Sequence, residues 1–559
     1  QRSRWALLGA AALITSALQA GTTPPATAAP PVTIRVPLVA EAGQVPPAVV
    51  GGGHAGDAYD VVRVVDATVV KSGQLTSLPS RDADVWASFG LADLTGLAPG
   101  TYRVEADGVS SVPFTVGAGD YADVLASLLG IYDANADGDE PSSYHDPSHL
   151  NDARSRIRNG PHKGERIDVE GGWMDAGDQI KFTTTIGYTS VMLELAARNE
   201  PSAAAQLVET SGIGIRWLLK AHPAPGVFAA MVGTAGADHN TDWRDPAGDD
   251  DLANPALSHR TTAVFSGRAG GSDPAGTASA ALAYAAGRST GADRATLLRQ
   301  SKAWLGEALK LRAVWKNCCY QGGSWRDDVA LAQAALWRAT GNDAYATDAL
   351  TQLRKVTGNG DRDWLISADG YEMAGIAAAE LCGVLGAPAA PDPVSGPACQ
   401  ILRAGGRRAV GEVANETAFG RAGDNVWGSA RESEAGAVVA VLAGRAGLEG
   451  ADAAALRALG WFLGVNPWGL RWQVGFGIDN PHHWLRGLGQ TGVPYGAVPG
   501  GPTRLSEYAG QEDYITRHPG IYDSDLQYYG DHLDDYVSNE VDIQYNAPAV
   551  LHFALISSG

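Results

Sequence analysis

The chain has 559 residues and a formal net charge of −20, from 42 Lys and Arg against 62 Asp and Glu. That length exceeds one small domain and allows a large core beside a smaller module. The acidic balance, with no Lys/Arg cluster, argues against a nucleic-acid partner, because phosphate binding is carried by basic patches.

Arg2 and Arg4 precede an apolar run from Trp5 to Leu18, followed by a Thr/Pro/Ala stretch from Gly21 to Pro31. This pattern predicts a secretory signal peptide within 1–30, cleaved after Ala20, Ala28 or Ala29. The run is shorter than the roughly 20 apolar residues that span a bilayer. No later segment reads as a membrane span, so the expectation is a secreted, extracellular protein with no membrane partner after signal cleavage.

From Val32 to about Val116 the sequence alternates, as in Val32-Thr33-Ile34-Arg35-Val36 and Thr101-Tyr102-Arg103-Val104-Glu105, with frequent Gly and Pro. Short alternating strands with that punctuation predict a small all-β sandwich over 31–117. After Gly119 the pattern changes to Ala- and Leu-rich segments with helical spacing, such as Tyr188 to Arg198, Pro274 to Gly287, Asp327 to Thr340, Glu434 to Gly447 and Ala451 to Phe462. They predict a large all-α domain over 118–559.

Asp133, Asn135, Asp137 and Asp139 place oxygen donors at alternate positions, with Gly138 at position six, like the first half of an EF-hand loop. Tyr144 stands where a bidentate Glu is needed, which excludes a complete EF-hand. The two remaining readings are a structural calcium completed by other residues and an acidic surface turn. Asp249-Asp250-Asp251 reads as a solvated loop. Cys318, Cys319, Cys382 and Cys399 allow three pairings. Cys382 with Cys399 would close a short loop, and the adjacent pair stays open between free thiols and cross pairing.

The residues richest in chemistry are Gly171-Gly172-Trp173-Met174-Asp175-Ala176-Gly177-Asp178 and, far along the chain, Asp534-Asp535-Tyr536-Val537-Ser538-Asn539-Glu540. Breaking a glycosidic bond needs one carboxylic acid to protonate the leaving oxygen and a carboxylate on the other face to act on water. In Asp-Ala-Gly-Asp the small central residues permit a tight turn, so both Asp side chains can converge on one water.

The run Ile167 to Phe182 resembles the DVSGGWHDAGDYGKY signature of glycoside hydrolase family 9, the inverting cellulase family. The run Asp535 to Ala547 is similar to that family's second signature, DY..NE....YNA. The resemblance implies an (α/α)6 barrel preceded by an immunoglobulin-like domain. It implies Asp178 as catalytic base, Asp175 as its partner in holding the water, Glu540 as general acid and Tyr545 as an aromatic of the cleaved-sugar subsite. An inverting mechanism would set Glu540 and Asp178 about 6.5–9.5 Å apart.

Asp238-His239 followed by Trp243 resembles the family's DH..W element, with one extra residue in the spacing. Gly464-Val465-Asn466-Pro467 leading to Pro481-His482-His483 resembles its G.NP to PHHR segment, except that Trp484 replaces the Arg. An Arg fork holds hydroxyls, whereas Trp offers a face for a pyranose ring; Arg486, two residues on, would restore the charge if the loop bends differently. Trp173, Trp243 and Trp484, beside the signatures, are expected in the cleft, while Trp217, Trp304 and Trp337 sit in helical periodicity as packing residues.

The sequence therefore reads as a monomeric, secreted β-1,4-glucan hydrolase of the endo-acting cellulase type, acting on polysaccharide or oligosaccharide with no cofactor in its chemistry. The alternatives are an exo-acting relative and a noncatalytic glycan-binding protein.

Overall fold

The computed structural model describes residues 32–78, 86–239, 244–267, 269–317, 319–357, 367–415, 418–424, 426–477, 479–484, 492–508, 527–533 and 535–557. The signal-peptide expectation, Trp243, Arg486 and Cys318 lie outside them.

Among the described residues of 33–117 there are ten strands: β1 (Thr33–Arg35), β2 (Val39–Glu41), β3 (Ala48–Gly51), β4 (Ala58–Arg63), β5 (Thr68–Gln74), β6 (Thr76–Ser77), β7 (Phe89–Ala92), β8 (Gly100–Ala106), β9 (Val109–Ser110) and β10 (Phe114–Gly117). One sheet runs β1-β3-β7-β6 and the other β2-β10-β8-β4-β5, with β9 on β8. Pairing is antiparallel except between β2 and β10. Alternation is visible in β8, where Tyr102, Val104 and Ala106 are buried and face a core containing Ile34, Val50, Val61 and Phe114. This is the all-β sandwich that the alternating pattern predicted.

Five further strands, β11 (Ser155–Ile157), β12 (Arg166–Ile167), β13 (Lys181–Phe182), β14 (Ala229–Val232) and β15 (Thr261–Val264), form a sheet in the order β12-β11-β15-β14-β13. Among the described residues it lies with twelve longer helices: α1 (Asp120–Leu128), α2 (Thr183–Asn199), α3 (Ala204–Lys220), α4 (Ser272–Arg288), α5 (Gly291–Leu311), α6 (Arg326–Thr340), α7 (Asp343–Thr357), α8 (Ala374–Cys382), α9 (Ser395–Asn415), α10 (Ser429–Arg445), α11 (Ala451–Phe462) and α12 (Ile543–Ser557).

The even-numbered helices pack in a closed ring, α2 on α4, α4 on α6, α6 on α8, α8 on α10, α10 on α12 and α12 back on α2. Each carries an odd-numbered helix outside it, α1 behind α12, α3 behind α2, and so on round to α11 behind α10. Composition explains the two rings. Inner α4, SDPAGTASAALAYAAGR, is buried from Ser272 to Ala286, and its small residues let neighbours approach closely. A Cβ on Gly276 would stand 2.7 Å from the Asp328 backbone of α6. Outer α3 and α5 bury only one stripe each, including Trp217 and Trp304. Trp217, Trp304 and Trp337 are core residues, in accord with their periodicity.

The sandwich is fastened to the barrel. Leu38 N–H donates to Leu463 O at 2.8 Å, Gln44 donates to Ile556 O at 3.0 Å, and Glu41 accepts from Gly119 N–H at 2.7 Å. Trp86 and Phe89 pack on Phe419 with centroids 5.8 and 5.6 Å apart. Cys382 and Cys399 are bonded, joining α8 to α9. No helix among the described residues is long and apolar enough to cross a membrane.

Candidate active site

The loop 171–180 enters α2 through β13, and its shape begins with two glycines at positive φ, Gly171 at 85° and Gly172 at 81°. A Cβ on Gly172 would meet the Trp217 ring at 2.8 Å, so the turn requires glycine there. Beneath the loop lies a buried ion network. Lys181 Nζ stands 2.8 Å from Asp137 and 2.8 Å from Asp152. It also donates to Val169 O at 2.8 Å and Gly171 O at 3.1 Å. Arg260 bonds Asp137 at 3.0 Å and also binds Asp152 and Gln179 O. Burial opposes ionisation of Asp137, yet Lys181, His149 and Arg260 outweigh it and hold this carboxyl well below the usual range.

That network overturns the calcium reading of Asp133, Asn135, Asp137 and Asp139. Asp133 sits in the short helix Gly130–Ala134 and accepts from Ser143 N–H. Asn135 donates to Met174 O and Ala176 O, Asp137 faces cations, and Asp139 is exposed. The four side chains do not converge, and two buried cations beside Asp137 would repel a third. Asp249 is likewise buried against His149 and Arg244, not solvated as expected. Among the described residues no group of three or more His, Cys, Asp or Glu is placed to hold a metal.

Asp175 is buried, with Oδ1 accepting from Thr185 and Oδ2 from Tyr320 OH. Its backbone carbonyl accepts from Ile543 N–H at 3.0 Å, which ties the loop to the start of α12. Asp178 Oδ1 accepts from Ile180 N–H at 3.1 Å and Oδ2 pairs with His239 Nδ1 at 2.6 Å. That hydrogen bond, with the Asp178 and Glu540 charges adding and burial opposing, pushes the imidazole up to about 9.

Glu540 follows the short helix Tyr536–Asn539, which Asp535 caps by accepting from Val537 and Ser538 N–H. Burial first, then Asp178 and Asp542, push its carboxyl up to about 8, against His239 and a backbone hydrogen bond from Gly177. Asp542, two residues on, is buried and held by Gln544 through its backbone N–H at 2.8 Å and its Nε2 at 3.0 Å. Burial raises Asp542 to about 7 despite the Gln544 hydrogen bonds and Arg431. Asp175 is raised well above its ordinary value by burial, then by Asp542 and Asp178, with Thr185 and Tyr320 opposing.

Asp175, Asp178 and Glu540 thus meet in one site, with His239 on Asp178. Tyr545 is buried beside Gly428, with the Asp542 and Glu540 charges acting on its hydroxyl. His482 is exposed, with its backbone N–H on Asp531, and Trp484 is half-buried against the core. Trp173 departs from expectation. It is 0% exposed, packs 5.5 Å from Tyr132, and is no cleft platform. The glycine turn before it and Gly214 of α3, whose Cβ would lie 2.5 Å from the ring, draw the indole into the core. Sequence reasoning missed Tyr320, Asp542 and Trp427. Asp542 stood inside a quoted signature. Trp427, 38% exposed and 5.4 Å from Tyr536, follows no periodic segment.

A ring of six inner helices inside six outer ones, with carboxyls from its loops gathered at one site, defines an (α/α)6-barrel of the glycosidase class. The family model "Glycosyl hydrolase family 9" matches residues 121–553, and the chain belongs to that family. It is 27% identical over 497 residues to Endoglucanase B of Cellulomonas fimi, covering 81% of this chain and 44% of that protein. It is 31% identical over 255 residues to Endoglucanase 20 of Oryza sativa subsp. japonica, covering 42% of this chain and 46% of that one. The chain thus spans less than half the length of these two relatives. Among solved structures, a single-mutant thermostable endoglucanase from Alicyclobacillus acidocaldarius gives a TM-score of 0.77 at 21% identity, over 95% of this chain and 100% of that one. The structure of AaCel9A in complex with cellobiose-like isofagomine gives 0.76 at 22% identity, over 94% and 100%.

Proposed function

We propose that this chain is an inverting, endo-acting β-1,4-glucan hydrolase. One observation carries the reading: Glu540, pushed up to about 8, keeps its proton at neutral pH while standing within electrostatic reach of Asp178, whose carboxylate pairs with His239. Glu540 protonates the glycosidic oxygen as the bond breaks. Asp178, assisted by Asp175, orients a water on the opposite face of the sugar and takes its proton as it attacks the anomeric carbon. Configuration inverts, and no cofactor takes part.

His239 fixes the orientation of Asp178. Tyr545, His482, Trp484 and Trp427 line the glucan path in this reading, with Trp427 the exposed platform for a pyranose face. The endoglucanase names of the relatives support endo action, and the cellobiose-like ligand of AaCel9A supports a β-glucan substrate. Division into a sandwich over 31–117 and a catalytic domain over 118–559, secretion and a monomeric state complete the proposal.

The test is hydrolysis of carboxymethyl cellulose and short cello-oligosaccharides, following viscosity and product lengths, with Asp178→Ala as control. Rapid viscosity loss with mixed products, abolished in the control, is expected. A single short product with little viscosity change would overturn endo action, and no turnover would overturn the hydrolase reading.

A further inference from the structure

Between α5 and α6 the chain carries Tyr320, whose ring is held by the edge of Phe182 at 5.0 Å and by Tyr371 at 6.4 Å. Its hydroxyl lies between two buried carboxyls. It donates to Asp175 Oδ2 and stands 3.3 Å from Asp542 Oδ2. A phenol has one proton and can donate to only one of them at a time. The second contact is satisfied when the other carboxyl is protonated and donates to the phenol oxygen.

Both ends accommodate either state. Asp542 receives its remaining hydrogen bonds from Gln544, whose Oε1 accepts from Arg431 at 3.2 Å, so its surroundings stabilise a carboxylate without demanding one. Asp175 Oδ1 faces the Thr185 hydroxyl, which has a second acceptor in Phe182 O at 3.3 Å and can release the carboxylate.

We infer that Asp175, Tyr320 and Asp542 form a proton relay in which the two carboxyls hold one proton between them, with Asp542 as the positioning residue that draws it away from Asp175. The relay rests on the hydrolase reading above. In the transfer, the Asp175 O–H bond breaks as its proton passes to the Tyr320 oxygen, and the Tyr320 O–H bond breaks as its own proton passes to Asp542. Two O–H bonds break, two form, and the triad keeps a single negative charge throughout. Burial holds the Tyr320 hydroxyl well above its ordinary value, so the phenol does not ionise and the two transfers are concerted. An ionised Asp175 is then available beside Asp178 when water must be held and deprotonated.

The groups facing Asp542 set the direction of its effects. Asp175 and Asp178 come from the loop before α2, Glu540 from the chain before α12, Arg431 from α10, and Tyr132, Tyr320, Tyr371 and Tyr545 surround it. Arg431 is the cation that opposes its protonation. Removing the Asp542 carboxyl relieves repulsion on Glu540, which must lose its proton at lower pH, while Asp175 loses the acceptor of its proton and must hold that proton to higher pH.

The experiment is the pH dependence of kcat/KM on a cello-oligosaccharide for the full chain, Asp542→Asn and Tyr320→Phe, with infrared pH titration of carboxylic acid absorption on the same proteins. For Asp542→Asn the alkaline limb should move to lower pH by about one pH unit and the acid limb upward, and one infrared component titrating near neutral pH should vanish. For Tyr320→Phe, which keeps both carboxyls, the acid limb should move upward because Asp175 loses a donor, with kcat down about tenfold. Limbs unmoved in both variants, or an infrared titration unchanged in Asp542→Asn, would overturn the relay. Wild-type protein without turnover would sink the hydrolase reading instead, and the infrared titration would still decide the relay.

Discussion

Replacing Glu540 with Gln should abolish turnover and stabilise the fold, by an amount that grows with pH. The Glu540 carboxyl rises from an ordinary 4.5 to about 8 in the folded chain, chiefly through burial. Below 4.5 both folded and unfolded chains hold the proton, and the group costs nothing on this count. Between 4.5 and 8 the unfolded chain ionises while the folded one does not, so stability falls as pH rises, and above 8 the whole cost is present. At about 1.4 kcal/mol per pH unit, the rise corresponds to a ceiling of roughly 5 kcal/mol, shared in part with the neighbouring carboxyls of Asp178 and Asp542. Gln fills the same volume without the charge. Scanning calorimetry at pH 5 and pH 8 should therefore show a Tm gain for Glu540→Gln that is small at the first pH and several degrees at the second, while release of reducing sugar from carboxymethyl cellulose disappears. An equal Tm gain at both pH values, or a variant that still hydrolyses, would refute the assignment of a half-buried, protonated acid at this position.

Two further outcomes follow from the geometry. Trp427→Ala, which removes an exposed indole beside Tyr536, should raise KM for long cello-oligosaccharides about tenfold with kcat changed little, as steady-state kinetics on substrates of increasing length would report. Arg260→Met leaves Asp137 and Asp152 buried with Lys181 as the cation they share and His149 on Asp137 alone and should cost about 3–5 kcal/mol, measured by urea unfolding; a loss under 1 kcal/mol would mean the network beneath the loop is not what holds it.

Much of this was legible in the chain because it is local. Alternation in Thr101 to Glu105 reports one buried face of β8, and the Ala-rich spacing of 274–287 reports the buried helix α4. Asp175, Asp178 and Glu540 stood out because each lies in a long signature of unusual residues. Trp173 misled because proximity to a signature says nothing about which way a ring points. A glycine-permitted turn sent it into the core. The run Asp133 to Asp139 misled because oxygen spacing alone cannot reveal that Lys181 and Arg260 already neutralise Asp137.

The sequence by itself determined the order of a β module and a helical one, the family, and which carboxyls to watch, since periodicity and signatures are properties of neighbouring residues. Tertiary structure decided what those carboxyls are. Asp175 meets Tyr320 across 145 positions of chain, Asp178 meets His239 across 61, and Asp137 meets Arg260 across 123. A carboxyl's proton is governed by the charges, donors and low-dielectric surroundings within a few ångströms, and in a barrel closed by its last helix those neighbours arrive from opposite ends of the chain.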